Sequence, residues 1–171
     1  MKGVTRLGWL AYAVAAVTVA LDQLSKAWIL YGLELPARGS VPVAGPLNFT
    51  MVWNQGVSFG LLRADQDLMR WALALFAIGV SVVLAVWVRK AGRPVLAWAL
   101  GFIMGGAVGN VIDRIRWGAV ADFIDVSAIG FFPWVFNVAD AAINIGIALL
   151  LLDMIRGEKR ETSAKPTEDA A

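Results

Sequence analysis

The chain has 171 residues, 59% of them hydrophobic and 16% charged, with a formal net charge of +2. That length fits one domain, the apolar fraction exceeds that of ordinary soluble domains, and the small net charge argues against a nucleic-acid partner. The absence of Cys and His excludes disulfides, thiolate nucleophiles, imidazole bases and His-ligated metals, which leaves acid–base chemistry to Asp, Glu, Lys or Tyr.

The first uncharged run covers residues 7–21 and is preceded by Lys2 and Arg6. A basic start, an apolar stretch and small residues near Ala20 also describe a cleaved signal peptide. Apolar sequence resumes after the charged patch as "AWILYGL", so an uncleaved first span fits better. Asp22 and Lys26 form an i, i+4 pair of opposite charge, read as a structural anchor at the membrane interface. Residues 34–66 are rich in Gly and Pro. Within them "LNFTMVW" and "VSFGLL" are strand-like around the turn signal "NQG", which predicts a small surface sheet. Asn54 and Gln55 fit turn chemistry, Asn54 is also a candidate for bonding substrate backbone, and Gly56 supplies permissive backbone.

Residues 71–88 and 94–112 are uncharged runs near the roughly 20 residues that a membrane helix needs. The short "RKAGR" between them predicts an antiparallel pair. Gly101, Gly105, Gly106 and Gly109 permit close helix packing. Asn110, Asp113 and Arg114 stand at i, i+3, i+4 where this span ends, as residues that cap it and orient a site. Residues 113–136 read as a second outer segment, with "AVADFIDV" strand-like or irregular and "FFPWVF" suited to the interface. A last run, 141–152, lies between Asp140 and Asp153, and a polar tail predicted to be disordered follows at 157–171.

The expected architecture is thus a single membrane domain over 1–156. It is all-α with a small β element, with spans at about 7–28, 69–89, 94–113 and 137–155. Lys2 and Arg6, then Arg89, Lys90 and Arg93, then Arg156, Lys159 and Arg160 fall on one side, which the positive-inside rule makes cytoplasmic. The more dispersed Arg38, Arg63, Arg70, Arg114 and Arg116 fall on the other. This topology brings Asp22, Asp113, Asp122 and Asp140 to one depth at the outer ends of the spans.

Asp140 is the most constrained of these acids. The 12 residues from 141 to 152 cover only about 18 Å, which places Asp140 inside the hydrocarbon. A carboxylate at a helix centre costs about 2.5–3.5 kcal/mol on insertion scales, so it should face the bundle and have partners. Asn137, Asp140 and Asn144 at i, i+3, i+7 form a polar stripe on an otherwise apolar helix. "NVAD" also reads simply as a helix start, with Asn137 the cap and Asp140 at the third helical position.

Five blocks carry a resemblance: "LDQLSK" at 21–26, "NQGVSFG" at 54–60, "GGAVGNVIDR" at 105–114, "GAVADFIDV" at 118–126 and "FNVADAAINIG" at 136–146. In this order they resemble the lipoprotein signal peptidases, or signal peptidase II, over most of residues 21–150. The resemblance implies an aspartic peptidase of the bacterial inner membrane with four transmembrane helices and its site toward the outer face. Its partners would be diacylglyceryl-modified prolipoproteins, cut just before the lipid-bearing cysteine. It implies Asp122 and Asp140 as the catalytic pair, with Asp125 outside it. Asn54, Asn110, Arg114 and Asn137 fall on pocket positions, and Asp22 and Lys26 on the first motif. Two carboxylates sharing a proton can hydrolyse an amide without metal, thiol or imidazole, so no cofactor and no metal is expected. Membrane lipid, no nucleic acid and a monomeric state complete the expectation. The rival is a small proton- or ion-coupled transporter. It would need polar residues through the full membrane depth, whereas here they gather at one end.

Overall fold

The computed structural model describes residues 3–56, 66–130 and 134–164. Among these, four helices are long and apolar enough to cross a membrane: Arg6–Gly32, Asp67–Val88, Pro94–Trp117 and Val138–Arg156. Helix α1 (Arg6–Ala27) starts at Thr5, whose Oγ1 accepts from the Gly8 amide at 3.0 Å, and runs on as a π-helical turn, Trp28–Gly32. A short helix α2 (Leu35–Arg38) follows. Helix α3 (Gln66–Val88) and helix α4 (Pro94–Trp117) form the expected antiparallel pair, and Pro94 occupies the first turn of α4, where its missing N–H costs nothing. Helix α5 is Val138–Ala164.

Helix α4 is the centre of the bundle and packs against α1, α3 and α5. The close approaches need Gly. A Cβ at Gly105 would stand 2.6 Å from Cβ of Thr18 on α1, and one at Gly106 would meet the Ala139 carbonyl on α5. With hydrocarbon on both sides of a contact, such packing takes the place of hydrophobic drive. Large apolar side chains instead point outward, as at Leu75, Phe76 and Val83 of α3.

Strands β1 (Ser40–Ala44), β2 (Leu47–Asn54), β3 (Val120–Asp125) and β4 (Val135–Phe136) make one antiparallel sheet in that order. The sheet covers one end of the bundle. Beneath it Ile29 and Leu35 pack with Phe123 of β3. At the opposite end, Arg93 Nη2 reaches Asp153 Oδ2 at 2.9 Å and ties the start of α4 to α5.

Several boundaries differ from the sequence reading. The sheet is not confined to 34–66, because β3 and β4 come from the segment after α4; the strand-like "VSFGLL" lies outside the described residues. Helix α4 runs a turn past Asp113 and closes at Gly118, whose φ of 78° suits a left-handed cap. The first span extends to Gly32, and α5 continues to Ala164 through part of the segment read as a disordered tail. The last residues of that tail, from 165, lie outside the described residues.

Candidate active site

Asp122 sits on β3. In the β2–β3 register Val52 faces Asp122 and Asn54 faces Val120, so Asn54 and Asp122 are diagonal neighbours on one face of the sheet. Asn54 Nδ2 donates to Asp122 Oδ2 at 2.9 Å, and Asn54 Oδ1 accepts from the Gly56 amide at 2.9 Å. Gly56 turns the chain with φ 117°, and a Cβ there would run into Leu73 of α3. The turn therefore holds Asn54 against the carboxylate.

Asp140 sits in the first turn of α5. Asn137 Oδ1 accepts from the Asp140 amide at 2.9 Å, and Asp140 Oδ2 accepts from the Asn137 amide at 3.3 Å. This reciprocal pair is a capping box. The Asn137 Nδ2 remains, and it donates to Asp122 Oδ1 at 2.6 Å and to Asn110 Oδ1 at 3.3 Å. Asn110 Nδ2 in turn donates to Asp140 Oδ1 at 2.8 Å. All four oxygens of the two carboxylates thus accept a hydrogen bond, three of them from Asn side chains. The same Asn137 thus caps α5 and joins Asp122 to Asp140.

A second cluster lies behind the first. Lys26 Nζ is 2.8 Å from Asp22 Oδ2, 2.6 Å from Asp113 Oδ2 and 3.4 Å from Asn110 Oδ1, and all three charged side chains are fully buried. Asp22 Oδ1 accepts the Ala139 amide at 2.9 Å, at the N-terminus of α5, where a carboxylate suits the helix dipole. Asp113 Oδ2 accepts the Ala121 amide at 3.2 Å, next to Asp122. The expectation of an interfacial Asp22–Lys26 anchor is therefore corrected: the pair is inside the bundle, because Asp113 from α4 supplies a second carboxylate. Gln23, which the sequence reading passed over, donates to Asp113 Oδ1 at 2.8 Å and to Asp22 Oδ2 at 3.1 Å. Its one sequence signal is its place inside "LDQLSK".

Arg114 donates to the Asn110 carbonyl at 3.2 Å, and its charge acts on Asp140, Asp113 and Asp122. Four carboxylates thus face two cations. Asn144 does not join them. It is exposed and makes no hydrogen bond to a site residue among the described residues, so the hydrogen-bonded network ends at Asp140. Asp125 is also separate. It stands three positions from Asp122, an odd offset, so it faces the other side of the strand, where Thr50 Oγ1 donates to it at 2.7 Å and the Ser127 amide at 2.9 Å. Those hydrogen bonds, Ser127's first, hold the Asp125 carboxyl below its usual range.

Asp122 is 1% exposed. Its pKa is pushed up to about 6, mainly because burial disfavours the charged form and further by the charge of Asp140, against the lowering hydrogen bonds from Asn54 and Asn137. Asp140 is half-buried, so it is the more open of the two to solvent.

Fold and site define a multi-pass membrane protein with two aspartates joined through Asn137 and Asn110 at one end of its bundle. Residues 14–156 match the Signal peptidase (SPase) II family. The lipoprotein signal peptidase of Caulobacter vibrioides is 56% identical over 161 residues, 94% of this chain and 95% of that one. That of Methylorubrum extorquens is 45% identical over 146 residues, 85% of each. A bacterial membrane enzyme solved by the in meso method at 2.3 Å superposes with a TM-score of 0.74 at 26% identity, covering 100% of this chain and 99% of that one. The chain belongs to the signal peptidase II family.

The titration of Asp122 tests this geometry. Its carboxyl carbon, followed by NMR against pH, should show a midpoint near 6. Asp140→Asn removes a neighbouring negative charge and should lower the midpoint. Asn54→Ala removes a hydrogen bond to the ionised form and should raise it. Shifts of the opposite sign would contradict the arrangement.

Proposed function

We propose that this chain is a membrane aspartic endopeptidase that removes the signal peptide from diacylglyceryl-modified prolipoproteins, cutting on the N-terminal side of the lipid-bearing cysteine. Asp122 and Asp140 are its catalytic pair. The observation that carries this reading is Asn137, which donates to Asp122 at 2.6 Å while its side-chain oxygen accepts from the Asp140 amide. Through its side chain and its own amide, Asn137 contacts both carboxyls.

Two carboxyls so placed do not both ionise easily, and the raised pKa of Asp122 favours a shared proton. The ionised member takes a proton from water as the water oxygen attacks the scissile carbonyl carbon. The protonated member polarises the carbonyl oxygen. The resulting tetrahedral diol collapses, the C–N bond breaks, and a carboxyl proton passes to the leaving amine. Asn110 and Asn137 hold the pair in register, Asn54 with Gly56 positions Asp122 from the sheet, and Asp113 and Arg114 set the surrounding charge. A transporter is disfavoured because α3 has only Ser81 as a polar side chain between residues 71 and 88, and that hydroxyl is bonded to the Ala77 carbonyl in its own helix.

Asp122→Asn and Asp140→Asn should each lower cleavage of a diacylglyceryl-modified prolipoprotein by at least about a hundredfold, the loss expected on removing a general acid or base. Asp125→Asn should keep its activity, since its partners are Thr50 and Ser127. Product size on a gel reads the outcome. Near wild-type turnover from either of the first two variants would sink the pair.

The distribution of Lys and Arg supports a cytoplasmic (inner) membrane location, both termini in the cytoplasm and the aspartate pair toward the outer face. Every side chain of the site comes from one chain, so a monomer suffices. Because the chain has no Cys, Ser40→Cys gives a single label on β1. An impermeant thiol reagent should reach it from outside the cell. Reaction from the cytoplasmic side alone would reverse the topology.

A further inference from the structure

A polar cavity lies on the same end of the bundle as the Asp122–Asp140 site. Its volume is about 200 Å³, and it is lined by Gln55, Asp67, Arg70, Trp117, Gly118 and Ala119. Arg70 projects from the first turns of α3, close to Asp67, where the membrane-spanning stretch begins. Its guanidinium lies 4.8 Å from the Trp71 ring and against Gly118, where a Cβ would come within 3.1 Å of Nη1. Arg70 Nε is buried and has no hydrogen-bond partner among the described residues. A buried, charged donor left without an acceptor costs free energy unless a ligand supplies one. Asp67 does not fill that role: it meets Nη1 at 3.2 Å with a side chain 77% exposed, and exposed pairs of this kind contribute little.

We propose that Arg70, Gln55 and the turn at 117–119 form a site for the phosphate of a glycerophospholipid in the leaflet on the aspartate side. Arg is suited to such a group, because its planar fork matches two phosphate oxygens at once. Depth selects a lipid phosphate rather than a free one. Trp71 is exposed beside Arg70, and Trp53 packs edge-on against Trp117 at 6.0 Å, as in the aromatic belt at headgroup level. Leu68 and Leu75, also exposed, continue from there along α3 as a surface for acyl chain. The prolipoprotein's diacylglyceryl group carries no phosphate, so this site is not the substrate's. Gln55 directly follows Asn54, so an occupied cavity braces the turn that holds Asn54 on Asp122.

The test is lipid binding by the full chain in detergent, read by native mass spectrometry. It compares phosphatidylglycerol with a diglycosyl diacylglycerol that lacks phosphate. Arg70→Gln should weaken phosphatidylglycerol binding roughly tenfold or more, the effect of losing a charge-assisted hydrogen bond, and leave the phosphate-free lipid unchanged. Gln55→Glu places a negative charge in the cavity without touching α3 and should weaken the same lipid. Equal phosphatidylglycerol affinity in the wild type and both variants overturns the site. Full competition by millimolar inorganic phosphate assigns the cavity to a free anion and overturns the lipid. The readout is binding, so its failure leaves the peptidase assignment standing.

Discussion

One ammonium group, Lys26 Nζ, holds the site end of this molecule together. It faces Asp22 from its own helix, Asp113 from α4 and the side-chain oxygen of Asn110. Through Asp22 the cluster reaches the first turn of α5, and through Asp113 it reaches the start of β3. Helix α1 thereby helps set where Asp140 and Asp122 stand through the residues beside them. The contact with Asn110 decides which way that amide points: its oxygen is engaged by Lys26 and Asn137, so its nitrogen is left to donate to Asp140. Burying such charges is expensive, and ion pairs inside proteins often add no net stability. What this one supplies is position, because each carboxylate also accepts a backbone N–H from a different element.

The arrangement also explains how an acid is tolerated at the start of an apolar helix. Asp140 is at once the reciprocal partner of the α5 cap and an acceptor from Asn110 in the network that reaches Asp122. Its carboxyl oxygens accept from the Asn110 side chain and the Asn137 amide, so a polar group at the membrane end of the helix has partners. Asp122 is stabilised differently. It is buried on a strand, and only Asn side chains donate to its oxygens.

Much of this was legible in the chain. Uncharged runs located all four spans, because lipid admits little else. The helical spacing of Asn137 and Asp140 placed both on one face, and the ordered motif blocks pointed to Asp122. Three features were not legible, each for a physical reason. An i, i+4 Asp–Lys pair looks the same at a surface as in a core, and the partner that draws Asp22 and Lys26 inward is Asp113 on another helix. Strand β3 is buried along almost its whole length, so it lacks the alternation that marks a half-exposed strand and its pairing with β2 stayed hidden. Asn144 shares a helical face with Asn137 but lies about 10 Å further along the axis, beyond the reach of a network confined to the helix end.

The central claim is that the buried lysine organises the site. The most direct measurement is the thermal unfolding of Lys26→Met in detergent, which removes the charge and keeps a long apolar side chain. Leaving Asp22 and Asp113 buried without their cation should cost about 3–5 kcal/mol, as when one partner of a buried pair is removed, so unfolding should come at a clearly lower temperature. Unfolding at the wild-type temperature would mean that the helix ends around the aspartates are held by packing alone, and the account would fail.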